Sequence, residues 1–324
     1  MKRLRITRII LLLIISAMLV GLCSCQFKKE MNEPTTVAGT TGAEFYTEEI
    51  TDEITSEAPS ETVTQPVQTT VAPTTAPQTQ PQQEPATQAP EVTGTKTITD
   101  GNKTIIYPLA LESSQKTYPV ISWANGTGAD VSLYTNLLTL LAEGGYIVVA
   151  DKDPMTADGT SQIDSINYII NKNSDSSSIF YNKVDTYAIG VCGHSQGGRS
   201  CINAAQKDSR IRCIVSIAGS SYTDEVKGLT TPCLFLTGTS DMVVVSSQWC
   251  KPAYNEAIGR AAYASLKGGV HTTCTNLGSP QKISGYTLDW FDAYLKNDDN
   301  AKQVFYNGGK LATDSAWQDF QNKN

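Results

Sequence analysis

Histidine is almost missing from this chain: 324 residues contain two, His194 and His271. Neither has a second histidine or a close cysteine cluster at ligand spacing, so no metal site is expected. Any general-base chemistry near neutral pH must fall to one of these two side chains. A basic surplus is missing as well. Lysine and arginine total 25 against 32 acidic side chains, for a net charge of −7, and a nucleic-acid footprint would need a basic patch or stripe. Only one long apolar run exists, residues 9–22, and it is too short for a convincing membrane span. No phosphate loop is present either, because Gly126-Thr127-Gly128 is not followed by Gly-Lys-Ser/Thr. No cofactor is expected.

What is present divides the chain into three parts. Lys2, Arg3, Arg5 and Arg8 precede the apolar run, which ends at Leu22-Cys23-Ser24-Cys25, the pattern of an export signal over residues 1–24. Leucine at −3 and serine at −1 before a cysteine resemble a bacterial lipobox. Cys25 is the expected lipidated residue, with Cys23 weaker because Leu22 is bulky at −1. Residues 25–94 are rich in Thr, Pro, Gln and Glu, with eleven carboxylates between Glu30 and Glu91. Such a composition cannot bury enough apolar surface to offset its ordering entropy, so an extended acidic tether is expected. Residues 95–324 are close to neutral, with 19 basic and 21 acidic side chains, and are long enough for one domain with a sizeable core.

In that domain, β-branched apolar runs alternate with helical patterns. Strands are predicted at 103–107, 118–123, 146–150, 186–192, 213–218, 233–237 and 262–266, and helices at 134–143, 162–172, 198–206, 245–258 and 284–296. The alternation predicts an α/β fold, a mostly parallel sheet covered by helices on both faces. Ligands bind such sheets beyond the carboxyl ends of the strands. The chemistry should sit just after each strand.

Gly193-His194-Ser195-Gln196-Gly197 lies between a predicted buried strand and a predicted helix. That is the setting of a nucleophile elbow, where small neighbours let the backbone turn sharply under an exposed serine hydroxyl. Ser195 is thus the candidate nucleophile. A hydroxyl needs a base to accept its proton. His194 adjoins the nucleophile and should point elsewhere, which leaves His271, in the loop after the last predicted strand. The third member should be a carboxylate after a strand lying between serine and histidine in sequence. Asp241 fits, after 233–237; Asp224, Glu225 and Glu256 are poorly placed. A turn-capping role suits Asp241 equally. Two backbone N–H groups should hold the oxyanion: that of Gln196, following the nucleophile, and that of Thr127 in the glycine-rich turn after strand 118–123.

Asn125-Gly126-Thr127-Gly128, residues 141–150, the Gly-His-Ser-Gln-Gly-Gly elbow, the Asp241 strand and Trp290-Phe291-Asp292-Ala293-Tyr294-Leu295-Lys296 together resemble the chlorophyllase and cutinase-like polyester-hydrolase branch of the α/β-hydrolases. The resemblance implies carboxylic-ester hydrolysis through an acyl-enzyme, without a cofactor. Polyester-degrading members tend to carry an aromatic residue at the Thr127 position and another after the strand ending at Ala218. This chain has Gly219-Ser220-Ser221 there, which argues against aromatic polyester specificity.

Only residues 219–231 separate two strands where many α/β-hydrolases insert a cap, so an uncapped site is expected, suited to short-chain or polymer-borne esters. Trp123, Tyr222 and Trp249 are candidate substrate-lining residues or ordinary packing. Of the six cysteines in the domain, Cys250 and Cys274 follow the loops bearing Asp241 and His271, and a bridge between them is the leading expectation; Cys192, Cys213 and Cys233 read as small core residues. Two rival functions stand beside the esterase: a catalytically silent polymer-binding lipoprotein, and a peptidase or thioesterase on the same fold.

Overall fold

The computed structural model describes residues 93–323. The export signal, Cys25 and nearly all of the tether lie outside the described residues. Nine strands form one sheet in the order β1-β2-β4-β3-β5-β6-β7-β8-β9. They are β1 (Thr95–Asp100), β2 (Lys103–Pro108), β3 (Tyr118–Ala124), β4 (Ile147–Asp151), β5 (Val184–His194), β6 (Ile211–Ile217), β7 (Cys233–Gly238), β8 (Ala261–Leu266) and β9 (Trp317–Lys323). The block from β4 to β8 is parallel, and the pairs β1–β2, β2–β4 and β8–β9 are antiparallel.

Strand side chains alternate between two cores because successive residues point to opposite faces. Ile121, Trp123, Cys192, Val215 and Leu236 pack under α1 (Thr135–Glu143) and the long helix Gln281–Leu295. Val120, Val191, Ile214 and Phe235 pack under α2 (Thr160–Ser174), α3 (Gln196–Lys207) and the short helix Cys250–Glu256. All seven predicted strands and all five predicted helices are present. The predicted helix 245–258 shrinks to Cys250–Glu256, since Trp249 has non-helical backbone angles and Ala257 is extended. Two edge strands, β1 and β9, were not anticipated. Both are mostly polar, β1 largely exposed and β9 burying only Trp317, so they carry no strong hydrophobic period to read.

The expected Cys250–Cys274 bridge is not formed: all six cysteines of the described residues are free and buried. Cys250 belongs to one core and Cys274 to the other. The sheet lies between them. Cys250 Sγ instead faces the Gly219 carbonyl at 3.4 Å, and burial pushes its thiol up to about 12. Cys192, Cys213 and Cys233 are fully buried core residues, as expected.

No cap domain interrupts the sheet. Between β6 and β7 there is only α4 (Thr223–Val226), a single four-residue turn of helix.

Candidate active site

Ser195 stands between β5 and α3 with φ 58° and ψ −119°, a left-handed conformation costly for a side chain with a Cβ. Its N–H donates to Ile217 O at 2.9 Å across the sheet. The flanking glycines are sterically required. A Cβ on Gly193 would lie 2.3 Å from Gly197 O, and one on Gly197 would lie 2.1 Å from Ala124 O. The helix begins at Gln196, immediately after the serine rather than near residue 198.

Asp241 follows β7 and His271 opens the turn after β8. His271 Nδ1–H donates to Asp241 Oδ2 at 2.8 Å, while Asp241 Oδ1 accepts from the N–H groups of Val243 and Val244 at 2.9 Å each. The carboxylate therefore caps its own turn and orients the imidazole at once. His271 Nε2 is buried with no hydrogen-bond partner, which leaves its lone pair available to take a proton. Ile217, the acceptor for the Ser195 N–H, lines the same small cavity as His271. The alternative acids are elsewhere: Glu225 is bound by Arg199 at 2.5–2.9 Å, and Asp224 and Glu256 are exposed.

The turn after β3 is tied down on both sides. Asn125 accepts from Trp123 Nε1 at 3.0 Å and donates to Asp151 O at 2.7 Å; its carbonyl accepts from Thr156 Oγ1 at 2.9 Å. Gly126 N–H donates to Tyr134 Oη at 3.1 Å, and Gly128 N–H donates to Pro154 O at 2.9 Å. Thr127 N–H, by contrast, makes no hydrogen bond among the described residues. Gln196, at the first position of its helix, has an N–H without an intrahelical acceptor.

His194 does point away from the serine, but not into an inert position. Its Nε2 meets His271 O at 2.9 Å and its Nδ1 meets Tyr134 Oη at 3.0 Å. Burial, with a smaller contribution from His271, holds it well below its ordinary pKa. Tyr134 is the partner that the sequence did not disclose: it reads only as the start of an amphipathic helix, and nothing local marks its hydroxyl as bridging two loops.

The three substrate-lining candidates separate. Trp123 is fully buried, its ring 4.9 Å from that of Tyr134, so its assignment to the substrate surface is corrected to the core. At a strand end its side chain still obeys the period of two and faces a helix layer. Tyr222 and Trp249 are half-buried neighbours, with ring centroids 5.5 Å apart, and the Arg199 guanidinium lies 4.4 Å over the Tyr222 ring. Beside His271 there is a mostly apolar recess of ≈ 30 Å³, bounded by Thr127, Ala129, Leu133, Thr272 and Leu277. Among the described residues no group of three or more His, Cys, Asp or Glu could hold a metal ion.

A nucleophile elbow, an Asp–His dyad with an unpartnered ring nitrogen and a turn with a free N–H, all at the carboxyl edge of the sheet, are the components of ester hydrolysis. A family model described as PET hydrolase-like matches residues 61–323. The chain belongs to the PET hydrolase-like family. It is accordingly an α/β-hydrolase and a carboxylic ester hydrolase of a serine hydrolase family. It is 26% identical over 218 residues to "Cutinase 1" of Thermobifida cellulosilytica, covering 64% of this chain and 79% of that protein. It is likewise 26% identical to a cutinase of Thermobifida fusca (strain YX), covering 64% and 68%. With a bis(hydroxyethyl) terephthalate hydrolase of Streptomyces coelicolor it shares 22% identity over 210 residues, covering 63% and 65%. Membership in this family sets aside the silent-binder alternative.

Proposed function

We propose that the chain hydrolyses carboxylic esters with Ser195 as nucleophile, His271 as general base and Asp241 as the acid that orients it. Ser195 Oγ attacks the ester carbonyl carbon while its proton passes to His271 Nε2. The carbonyl oxygen, now an anion, is held by the N–H groups of Thr127 and Gln196. Collapse returns the proton from His271 to the leaving alcohol and leaves the acyl group on Ser195; water then repeats the sequence and releases the acid. The observation that carries this reading is the 2.8 Å Asp241–His271 bond, which fixes the tautomer with Nε2 unprotonated and unpartnered.

Short-chain esters are the substrates best supported. The ≈ 30 Å³ recess beside His271 suits a small alkyl group, and the half-buried pair Tyr222 and Trp249 are the remaining aromatic candidates for contact with a larger substrate. Wild type and Ser195→Ala compared on p-nitrophenyl acetate, p-nitrophenyl palmitate and aromatic polyester film test both the site and its range. The expected result is an inert variant, and a wild type for which acetate far outpaces film, without a jump in rate at the micelle threshold, since there is no lid to displace. Turnover by Ser195→Ala would overturn the assignment; activity on peptides or thioesters alone would move it to the rival reactions.

The sequence of residues 1–25 supports an extracellular protein held to the membrane by lipid on Cys25. Cys25→Ala should move the protein from the membrane fraction to the medium. Retention of that variant at the membrane, with release by Cys23→Ala instead, would reassign the anchor.

A further inference from the structure

The His194 and Tyr134 side chains form a continuous hydrogen-bonded chain between two loops that the proposed reaction must keep in register. A carbonyl can only accept, so the 2.9 Å contact with His271 O makes His194 Nε2 the protonated nitrogen. In the neutral ring Nδ1 then carries a lone pair, and Tyr134 O–H donates to it at 3.0 Å. The same phenolic oxygen accepts from Gly126 N–H at 3.1 Å. Every member is buried, so an unpaired donor or acceptor would be costly, and only this direction of donation satisfies all of them. Space is equally restricted. A Cβ on Gly126 would lie 3.0 Å from Tyr134 Oη and 3.2 Å from His194 Nδ1. The titratable groups that face the chain are His271, whose ring centroid is 4.5 Å from that of His194, and, behind Tyr134, the buried thiol of Cys274.

We infer that Tyr134 and His194 are positioning residues: a rigid bracket that fixes the separation between the oxyanion turn, through Gly126 beside Thr127, and the general base, through the backbone of His271. The inference rests on the reading of Ser195, His271 and Thr127 given above. Asp241 holds the imidazole ring of His271, and the bracket holds its main chain. Thr127 N–H and His271 Nε2 act on two atoms of one tetrahedral intermediate, so an error in their spacing weakens transition-state binding more than substrate binding.

The test uses Tyr134→Phe, which removes one oxygen and keeps the ring against Trp123, together with His194→Leu, His194→Gln and the Tyr134→Phe/His194→Leu double variant. Rates on p-nitrophenyl acetate are divided by sites counted with an organophosphonate ester. Each of Tyr134→Phe and His194→Leu should lower kcat by roughly tenfold to a hundredfold with KM changed less than about threefold. The double variant should be no slower than the slower single, because both break one chain. His194→Gln, which can accept from Tyr134 and donate to His271 O, should recover most of the rate. Unchanged kcat in both single variants, effects confined to KM, or losses that multiply in the double variant would overturn the bracket. Should Tyr134→Phe fail to fold, the ratio of kcat between His194→Gln and His194→Leu decides: about tenfold supports the bracket and near unity overturns it. An inert Ser195→Ala beside an undisturbed Tyr134→Phe sinks the bracket alone; an active Ser195→Ala sinks the reading of the site beneath it.

Discussion

The two halves of the site are held by different means. At the ends of β3 and β5, buried polar side chains determine the backbone: Asn125 makes bonds to Trp123 and Asp151 and accepts from Thr156, Gln162 donates to Ser122 O at 2.9 Å and accepts from Ser200 Oγ at 2.8 Å, and Tyr134 and His194 join the loops. At the ends of β7 and β8 one carboxylate does nearly everything, with Asp241 satisfying its own turn and His271 together. The rest of that half is tied by close backbone contact, where a Cβ on Gly238 would meet Gly269 O at 2.2 Å, and by two threonine hydroxyls, Thr239 Oγ1 accepting from Gly268 N–H and Thr273 Oγ1 from Val270 N–H at 2.8 Å each. The serine half is a network of buried polar side chains, whereas the orientation of the His271 ring depends on a single carboxylate. Damage to the first, the Tyr134–His194 link to His271 apart, should show mainly in stability, and damage to the second mainly in turnover.

The sharpest way to break that contrast is Asp241→Asn. The amide oxygen can still accept from Val243 and Val244, so the turn should survive with a stability change under about 1 kcal/mol. The ring of His271 loses its charged acceptor and its tautomer is no longer fixed, and kcat should fall by roughly 10³- to 10⁴-fold. Equal losses of kcat and of urea resistance would mean that this half is a network too.

Asn125→Ala should show the reverse balance. Trp123 Nε1 and the Asp151 carbonyl lose their partner in a fully buried place, at a cost of about 2–3 kcal/mol. The remaining ties at Tyr134 and Pro154 should keep kcat within about tenfold of wild type. Urea denaturation and p-nitrophenyl acetate kinetics on the same preparation check both numbers. A large fall in kcat with unchanged stability would show that the serine half is not held as a network.

The contrast also explains what the sequence could disclose. Ser195, His271 and Asp241 were legible because each follows a buried, largely apolar strand, and because glycines at 193 and 197 are demanded by backbone crossings at 2.1–2.3 Å. The central parallel strands were legible for the same reason. β1 and β9 were not: as edge strands they expose charged and amide side chains and bury little. The error over Cys250 and Cys274 came from treating nearness to two adjacent loops as nearness in space, when a sheet divides them. Trp123 was misplaced because a residue at the end of a strand still faces one helix layer or the other. The Tyr134–His194 link was invisible, because the two residues lie sixty positions apart on different elements and no local pattern marks a bridging hydroxyl.

The smallest expected effect is a dependence of stability on pH that arises in the serine half. His194 is held below its ordinary value of 6.5, first by burial and then by the neighbouring His271, despite the opposing effect of the His271 carbonyl. In the unfolded chain it titrates near that ordinary value. Between the two values the unfolded state binds a proton that the folded state does not, so stability rises with pH across this window and is lost as pH falls below about 6.5. One proton contributes at most about 1.4 kcal/mol per pH unit. Protonation would also place a hydrogen on Nδ1, facing the Tyr134 hydroxyl, and the Gly126–Tyr134–His194 chain could no longer run in one direction. Wild type should therefore lose about 1 kcal/mol more than His194→Gln between pH 6.5 and 5.5 in matched urea titrations. Parallel curves for the two proteins would show that His194 is not kept neutral by its surroundings, and that the serine half is less dry and less tightly joined than its hydrogen bonds imply.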